Sequence, residues 1–133
     1  MDSKQRDRKR KARGKAGELY VCEYLGKKGY SIIGTNYSSR YGEIDVIAEN
    51  ESYIVFVEVR TRKQGAAVSG IESISPAKLK KCIRTAAEYL STHDTNKQPR
   101  IDCVQVAVDD NDGEVTDMLY IENAVDDWSS FLI

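Results

Sequence analysis

Two short segments hold the residues best suited to chemistry: Gly42-Glu43-Ile44-Asp45-Val46-Ile47-Ala48 and Ile54-Val55-Phe56-Val57-Glu58-Val59-Arg60. Both read as strands, and Asn50-Glu51-Ser52 between them reads as a turn. Side chains alternate faces along a strand, so Ile44, Val46 and Ala48 are expected on one side with Val55, Val57 and Val59. The other side then gathers Glu43, Asp45, Glu58 and Arg60 beside Ile47, Ile54 and Phe56. A two-residue Glu51-Ser52 loop sets Asp45 directly opposite Glu58.

Two carboxylates this close repel each other and lose hydration, and a divalent cation with oxygen ligands compensates both effects. Phosphoryl transfer uses such a cation to bind a phosphate oxygen and activate water. Arg60, on the same face as Glu58, supplies positive charge for a developing phosphorane. The bland reading is a surface hairpin with ordinary cross-strand ion pairs. Against it, the Ile54–Arg60 strand is apolar on both faces, so charges placed there are expensive unless they serve something.

These residues carry a resemblance. An acid in the first helix, then Asp, then Glu-x-Lys on the next strand is the PD-(D/E)xK nuclease pattern. More closely, the chain resembles the YraN family of small bacterial restriction-endonuclease-like proteins. The matching pieces are Gly17-Glu18, Tyr24-Leu25, Gly29-Tyr30, Gly42 to Ala48 and Phe56 to Arg60, with Arg62, the Ser75-to-Leu90 helix and Arg100-Ile101-Asp102. The resemblance covers roughly residues 12–108 and implies a core fold like that of archaeal Holliday-junction resolvases. It also implies a Mg²⁺ (or Mn²⁺) site at Asp45 and Glu58, joined by the Val59 carbonyl, with Glu18 nearby. Arg60 stands where the nuclease pattern has Lys; it stays charged and cannot act as a base. Ile44 stands where that pattern has Pro.

The elements that must position these residues follow from periodicity. A helix is expected from about Ala12 to Lys28, its apolar stripe running through Ala16, Leu19, Tyr20 and Tyr24, with Gly29 as the stop. Tyr30–Tyr37 reads as a strand ahead of the hairpin, and residues 62–75 as a mobile loop. Ser75-Pro76 caps a second helix to about Ser91, with Leu79, Ile83, Ala86, Ala87 and Leu90 as its stripe. Strands over Arg100–Val108 and Val115–Ile121 flank an Asp112-Gly113 turn, and a short helix is expected within 123–133. The order α-β-β-β-α-β-β predicts an α/β (α+β) fold: a mixed central sheet flanked by helices, in one domain over residues 13–133.

Charge is distributed unevenly. Residues 1–15 hold eight Lys/Arg and two Asp, a local charge of +6, whereas residues 16–133 sum to −7. Residues 1–12 form a basic arm expected to be frayed when free. Arg8, Lys9, Arg10, Lys11 and Arg13, with Arg62, Lys78 and Lys81 further on, are the candidates to neutralise phosphates. The charge points to an anionic partner, or to a solvated tail and helix face that only aid solubility; the nuclease resemblance implies nucleic acid, DNA first, as that partner, and a homodimer is left open. The longest apolar run, Tyr53–Val57, cannot span a membrane. Cys22, Cys82 and Cys103 match no zinc spacing and read as small core residues, which suits a reducing cytoplasm. His93 is the single histidine, in a polar stretch, so no histidine-based triad or zinc site is available. Two functions remain: a metal-dependent endonuclease of structured DNA, and a binding or interaction module that keeps the nuclease fold without its chemistry.

Overall fold

The computed structural model describes residues 2–66 and 74–132. Its elements are α1 (Ser3–Lys27), β1 (Ser31–Ser39), β2 (Gly42–Glu49), β3 (Tyr53–Lys63), α2 (Pro76–Thr92), β4 (Gln98–Val108), β5 (Val115–Ile121) and α3 (Ser129–Leu132). The expected mixed sheet is present, its five strands side by side in chain order. β3 and β4 are parallel because α2 carries the chain back between them; the other neighbours are antiparallel. The loop expected over 62–75 is shorter at its start, since β3 stays paired with β4 as far as Lys63. Residues 67–73 of that loop lie outside the described residues.

The first helix begins at Ser3 rather than near Ala12, and so includes the basic arm. Its start is a capping box: the Gln5 N–H donates to the Asp2 carboxylate at 2.8 Å, and the Asp2 N–H donates to the Gln5 side chain at 3.2 Å. Lys and Arg are good helix formers, so a stretch without an apolar stripe can still coil once capped. The helix ends as expected, with Gly29 at φ +93° just beyond Lys28.

Which face of α1 meets the sheet differs from the expectation. Leu19 and Tyr20 are exposed, whereas Gly17, Val21 and Leu25 are buried. Gly17 decides this. A Cβ there would lie 2.3 Å from Thr61 Cγ2 and 2.6 Å from Val106 Cγ2, so only glycine lets the helix approach β3 and β4 so closely. Both neighbours are stiff β-branched side chains. Gly17→Ala is therefore expected to lower unfolding free energy by about 1–3 kcal/mol, read as a lower denaturant midpoint; an unchanged midpoint would show that the helix can lift away freely.

Each helix covers one face of the sheet. Val21 and Leu25 of α1 pack on Val46, Ala48, Val55, Val57, Val104, Val106 and Val108. On the other face, Cys82, Ile83 and Ala86 of α2 pack on Ile44, Ile47, Ile54, Phe56, Ile101 and Cys103. Ile44 was expected with Val46 and Ala48 and lies instead with Ile47. The reason is a break in alternation between Val46 and Ile44. Opposite it on β1, Asn36 adopts φ +53°, and the 36/45 step is missing from the ladder. Asp45 occupies that break. No helix among the described residues is long and apolar enough to cross a membrane.

Candidate active site

The β2–β3 hairpin has the register that a Glu51-Ser52 loop sets. Val46 faces Val57 and Glu49 faces Ile54, and the turn is closed by the Asn50 N–H donating to the Tyr53 carbonyl at 3.0 Å. Ladder pairing stops at Val46, one step short of Asp45. There β2 leaves β3, and the Asp45 carboxylate takes the place of a backbone acceptor: its Oδ2 receives the Val59 N–H at 2.7 Å. A strand residue presents its N–H and C=O to the same neighbour, so the Val59 carbonyl is directed into this gap as well.

Asp45 sits among negative charge. Burial, then the Glu58 carboxylate, lift its pKa from 3.8 to about 7, with Glu18 adding to the rise; the Val59 N–H and Lys78 oppose it. Glu58 is only 6% exposed, at the centre of β3 beneath α2. One of its oxygens lies 3.2 Å from Lys78 Nζ, and the other accepts from the Cys82 thiol at 3.7 Å. For Lys78, burial pulls the pKa down, but the Glu58 charge and hydrogen bond, with Cys82 and Asp45 adding to them, outweigh it and hold the ammonium above its ordinary value. Cys82 and Cys103 are pushed up to about 12, by burial and then by Glu58, so neither thiol is a ready nucleophile.

Glu18 reaches the same region from α1, where its Oε1 accepts from Asn36 Nδ2 at 2.8 Å. A cavity of about 580 Å³ opens between α1 and the sheet, with Glu18, Glu43 and Asp45 on its wall and Lys11 and Lys15 at its side. The expected acids thus come together in two layers. Glu18 and Asp45 face the cavity, while Glu58 is packed behind Asp45 and capped by Lys78. Arg60 is half-buried on β3, close enough for its charge to lower the Cys103 pKa.

The expected basic residues part company. Arg8, Lys9, Arg10 and Lys11 are exposed on α1. Arg13 is tied to the β4–β5 turn, its Nε 2.9 Å from Asp110. Arg62 is half-buried, with its Nε buried and without a hydrogen-bond partner among the described residues. Lys81 is exposed, whereas Lys78 serves Glu58. The tie between Lys78 and Glu58 was not legible in the sequence, because it crosses from a helix to a strand far away in the chain. Asn36 carried a weak signal: an Asn within a β-branched stretch is a candidate for positive φ.

Among the described residues, no group of three or more His, Cys, Asp and Glu side chains is arranged to hold a metal ion. Asp45 and Glu58 nevertheless suit Mg²⁺, which takes one or two carboxylates and keeps several waters. Burial lifts Asp45 most and the Glu58 charge next, and a bound cation relieves both the lost hydration and the repulsion.

A family model described as Uncharacterised protein family UPF0102 matches residues 17–106. That span holds Glu18, Asp45, Glu58, Arg60 and Lys78 and excludes the basic arm. The chain is 50% identical to a UPF0102 protein of Dichelobacter nodosus over 80 residues, 60% of this chain and 64% of that protein. It is 38% identical to one of Chlorobium limicola over 115 residues, 85% of this chain and 88% of that protein. A third, of Persephonella marina, is 41% identical over 115 residues, 86% of this chain and 93% of that protein.

Proposed function

This chain belongs to the uncharacterised protein family UPF0102, and we propose that it is a Mg²⁺-dependent endonuclease-like protein that hydrolyses phosphodiester bonds in structured DNA. The observation that carries the reading is Asp45, a carboxylate lifted to about 7 by burial and by Glu58 on the wall of a cavity flanked by Lys11 and Lys15. Acids that repel one another, with cations beside them, suit a site that takes a metal ion and a phosphate together. The restriction-endonuclease-like core and the kinship with junction resolvases rest on the resemblance of the Gly42–Ala48 and Phe56–Arg60 segments.

Asp45 and Glu58 would hold the ion, with the Val59 carbonyl beside them and Glu18 at the cavity wall. Bound there, Mg²⁺ supplies Lewis-acid polarisation of a phosphate oxygen and a lowered pKa for a bound water. The chain's own residues do the rest. Lys78 stays protonated against Glu58, so it contributes charge and orientation rather than a base. Arg60 likewise adds positive charge to the same strand and accepts no proton. Lys11 and Lys15 neutralise phosphates beside the cavity, and the exposed Arg8, Lys9 and Arg10 extend that neutralisation along α1.

Arg60 in place of Lys favours a second reading, a nucleic-acid-binding module without cleavage. One experiment separates the two. Calorimetry and a cleavage assay on branched, duplex and single-stranded DNA are run with Mg²⁺ and Mn²⁺, on the wild type, Asp45→Asn and a chain lacking residues 1–12. The expected result is metal binding and cleavage that Asp45→Asn abolishes. The shortened chain should bind DNA more weakly and with a shallower salt slope. DNA binding without cleavage in any metal would select the second reading; equal metal binding by the wild type and Asp45→Asn would remove the site.

A further inference from the structure

A second cavity, of about 460 Å³, lies where the β1–β2 turn meets α2, and its walls include Arg40, Tyr41, Arg84, Ala87, Glu88 and Leu132. Its chemistry is mixed in a way that a solvated surface does not require. Glu88 Oε2 is buried and has no hydrogen-bond partner among the described residues, and an acceptor left so forfeits the water it gave up. Tyr41 lies beside two guanidinium groups, Arg40 at 4.9 Å and Arg84 at 5.8 Å from its ring centre. Arg40 Nη2 also donates to the Tyr41 hydroxyl at 2.9 Å.

The turn that carries Tyr41 is held in place. The Tyr41 N–H donates to Ser39 Oγ at 3.0 Å, the Ser39 hydroxyl donates to Thr85 Oγ1 at 3.3 Å, and Thr85 donates to the Lys81 carbonyl at 2.8 Å. Gly42, at φ +154°, gives the turn a backbone conformation that side-chain-bearing residues rarely adopt. The aromatic ring is thus preorganised against α2.

A planar ring, planar cations, an apolar floor and an unsatisfied acceptor together match one ligand class. We infer that this cavity receives an unpaired nucleobase carrying an exocyclic amino group, stacked on Tyr41 or on a neighbouring guanidinium, with Glu88 accepting from that amino group and Arg40 and Arg84 at its phosphate. Unpaired bases are read in this way, by stacking on aromatic or Arg planes and by hydrogen bonds to the exposed edge. Guanine offers two adjacent N–H donors to a carboxylate and cytosine one amino group, whereas thymine presents carbonyls on both sides of its single N–H. The inference rests on the nucleic-acid reading of the carboxylate cavity and deepens it. Tyr41 on this cavity stands four residues before Asp45 on the other, a span of at most about 13 Å of extended chain. That is the reach of a few nucleotides, so a strand at the carboxylates can deliver a base here.

The test uses the full chain in EDTA, with fluorescence anisotropy on duplexes carrying one bulged G, C, T or abasic position, and with GMP alone as a further probe. Bulged G and C are expected to bind about tenfold more tightly than T or the abasic site. Tyr41→Ala should reduce all four to the abasic level while Tyr41→Phe retains stacking, and Glu88→Gln, which offers a donor as well as an acceptor, should collapse the difference between G and T. Thermal melts check that each variant folds. Equal affinity for all four duplexes overturns the base pocket and leaves the nuclease reading standing. Binding of GMP with no base dependence in the duplex overturns it in favour of a free-nucleotide site. Absence of binding to every duplex in EDTA overturns the base pocket, and absence again with Mg²⁺ present overturns the nuclease reading as well.

Discussion

At pH 8 in EDTA, Asp45→Asn is expected to be more stable than the wild type by about 3 kcal/mol, and the two should converge near pH 4. Lifting Asp45 from its ordinary 3.8 to about 7 means that the fold favours its neutral form by several kcal/mol. Between those pH values the folded protein keeps a proton that the unfolded chain has lost. The group's contribution to stability therefore falls as pH rises from about 4 to about 7, and stays low above that. Asparagine keeps an acceptor for the Val59 N–H, so the 2.7 Å bond survives while the repulsion with Glu58 goes. Urea midpoints across pH 4–8 would measure the effect. A wild type and variant with parallel pH profiles would mean that Asp45 is not strained by its neighbours, and the case for a cation there would lose its main support.

The second large effect concerns Asp102, which is fully buried and makes four hydrogen bonds. It accepts from Arg100 Nε at 2.8 Å and Nη2 at 2.9 Å, from the Tyr120 hydroxyl at 2.5 Å and from the Asn123 N–H at 2.9 Å. Arg100 also donates to the Tyr30 hydroxyl at 2.9 Å and lies 4.8 Å from the Tyr53 ring centre. One carboxylate thus joins β4 and β5 to the segment after β5, and through Arg100 to the residue ahead of β1. Asp102→Asn leaves a buried guanidinium without its counter-charge, and the expected loss is about 3–5 kcal/mol. That is a large part of the stability of a domain of this size. Tyr120→Phe removes one neutral donor and should cost less, about 1–2 kcal/mol. An Asp102→Asn midpoint within 1 kcal/mol of the wild type would show that Arg100 finds water or Glu122 instead, the latter already 3.9 Å away.

Much of the scaffold was legible because its signals are local. Ser75 does cap α2, its hydroxyl oxygen accepting the Lys78 N–H at 3.1 Å, with Pro76 as the first helical residue. The Asn50-Glu51-Ser52 turn set the register of β2 on β3, and register depends only on loop length and the two-residue period. The continuous apolar character of Tyr53–Val57 marked the central strand, since only a strand covered on both faces keeps no polar side.

What the sequence left open were the choices made by contacts distant in the chain. Periodicity offered Leu19 and Tyr20 as core, yet α1 turned its glycine inward. Close approach to Thr61 and Val106 buries more of Val21 and Leu25 than a stripe of larger side chains at that point would allow. Ile44 changed faces at the step where Asn36 on the neighbouring strand takes a left-handed conformation, a feature of β1 that β2 alone does not encode. Alternation, together with a two-residue Glu51-Ser52 loop, placed Asp45 beside Glu58 from sequence alone. Tertiary structure decided that Asp45 reaches a cavity beside α1 while Glu58 is covered by α2 and answered by Lys78, because the pairing of β2 with β3 ends at Val46 and leaves the Asp45 carboxylate to take the Val59 N–H.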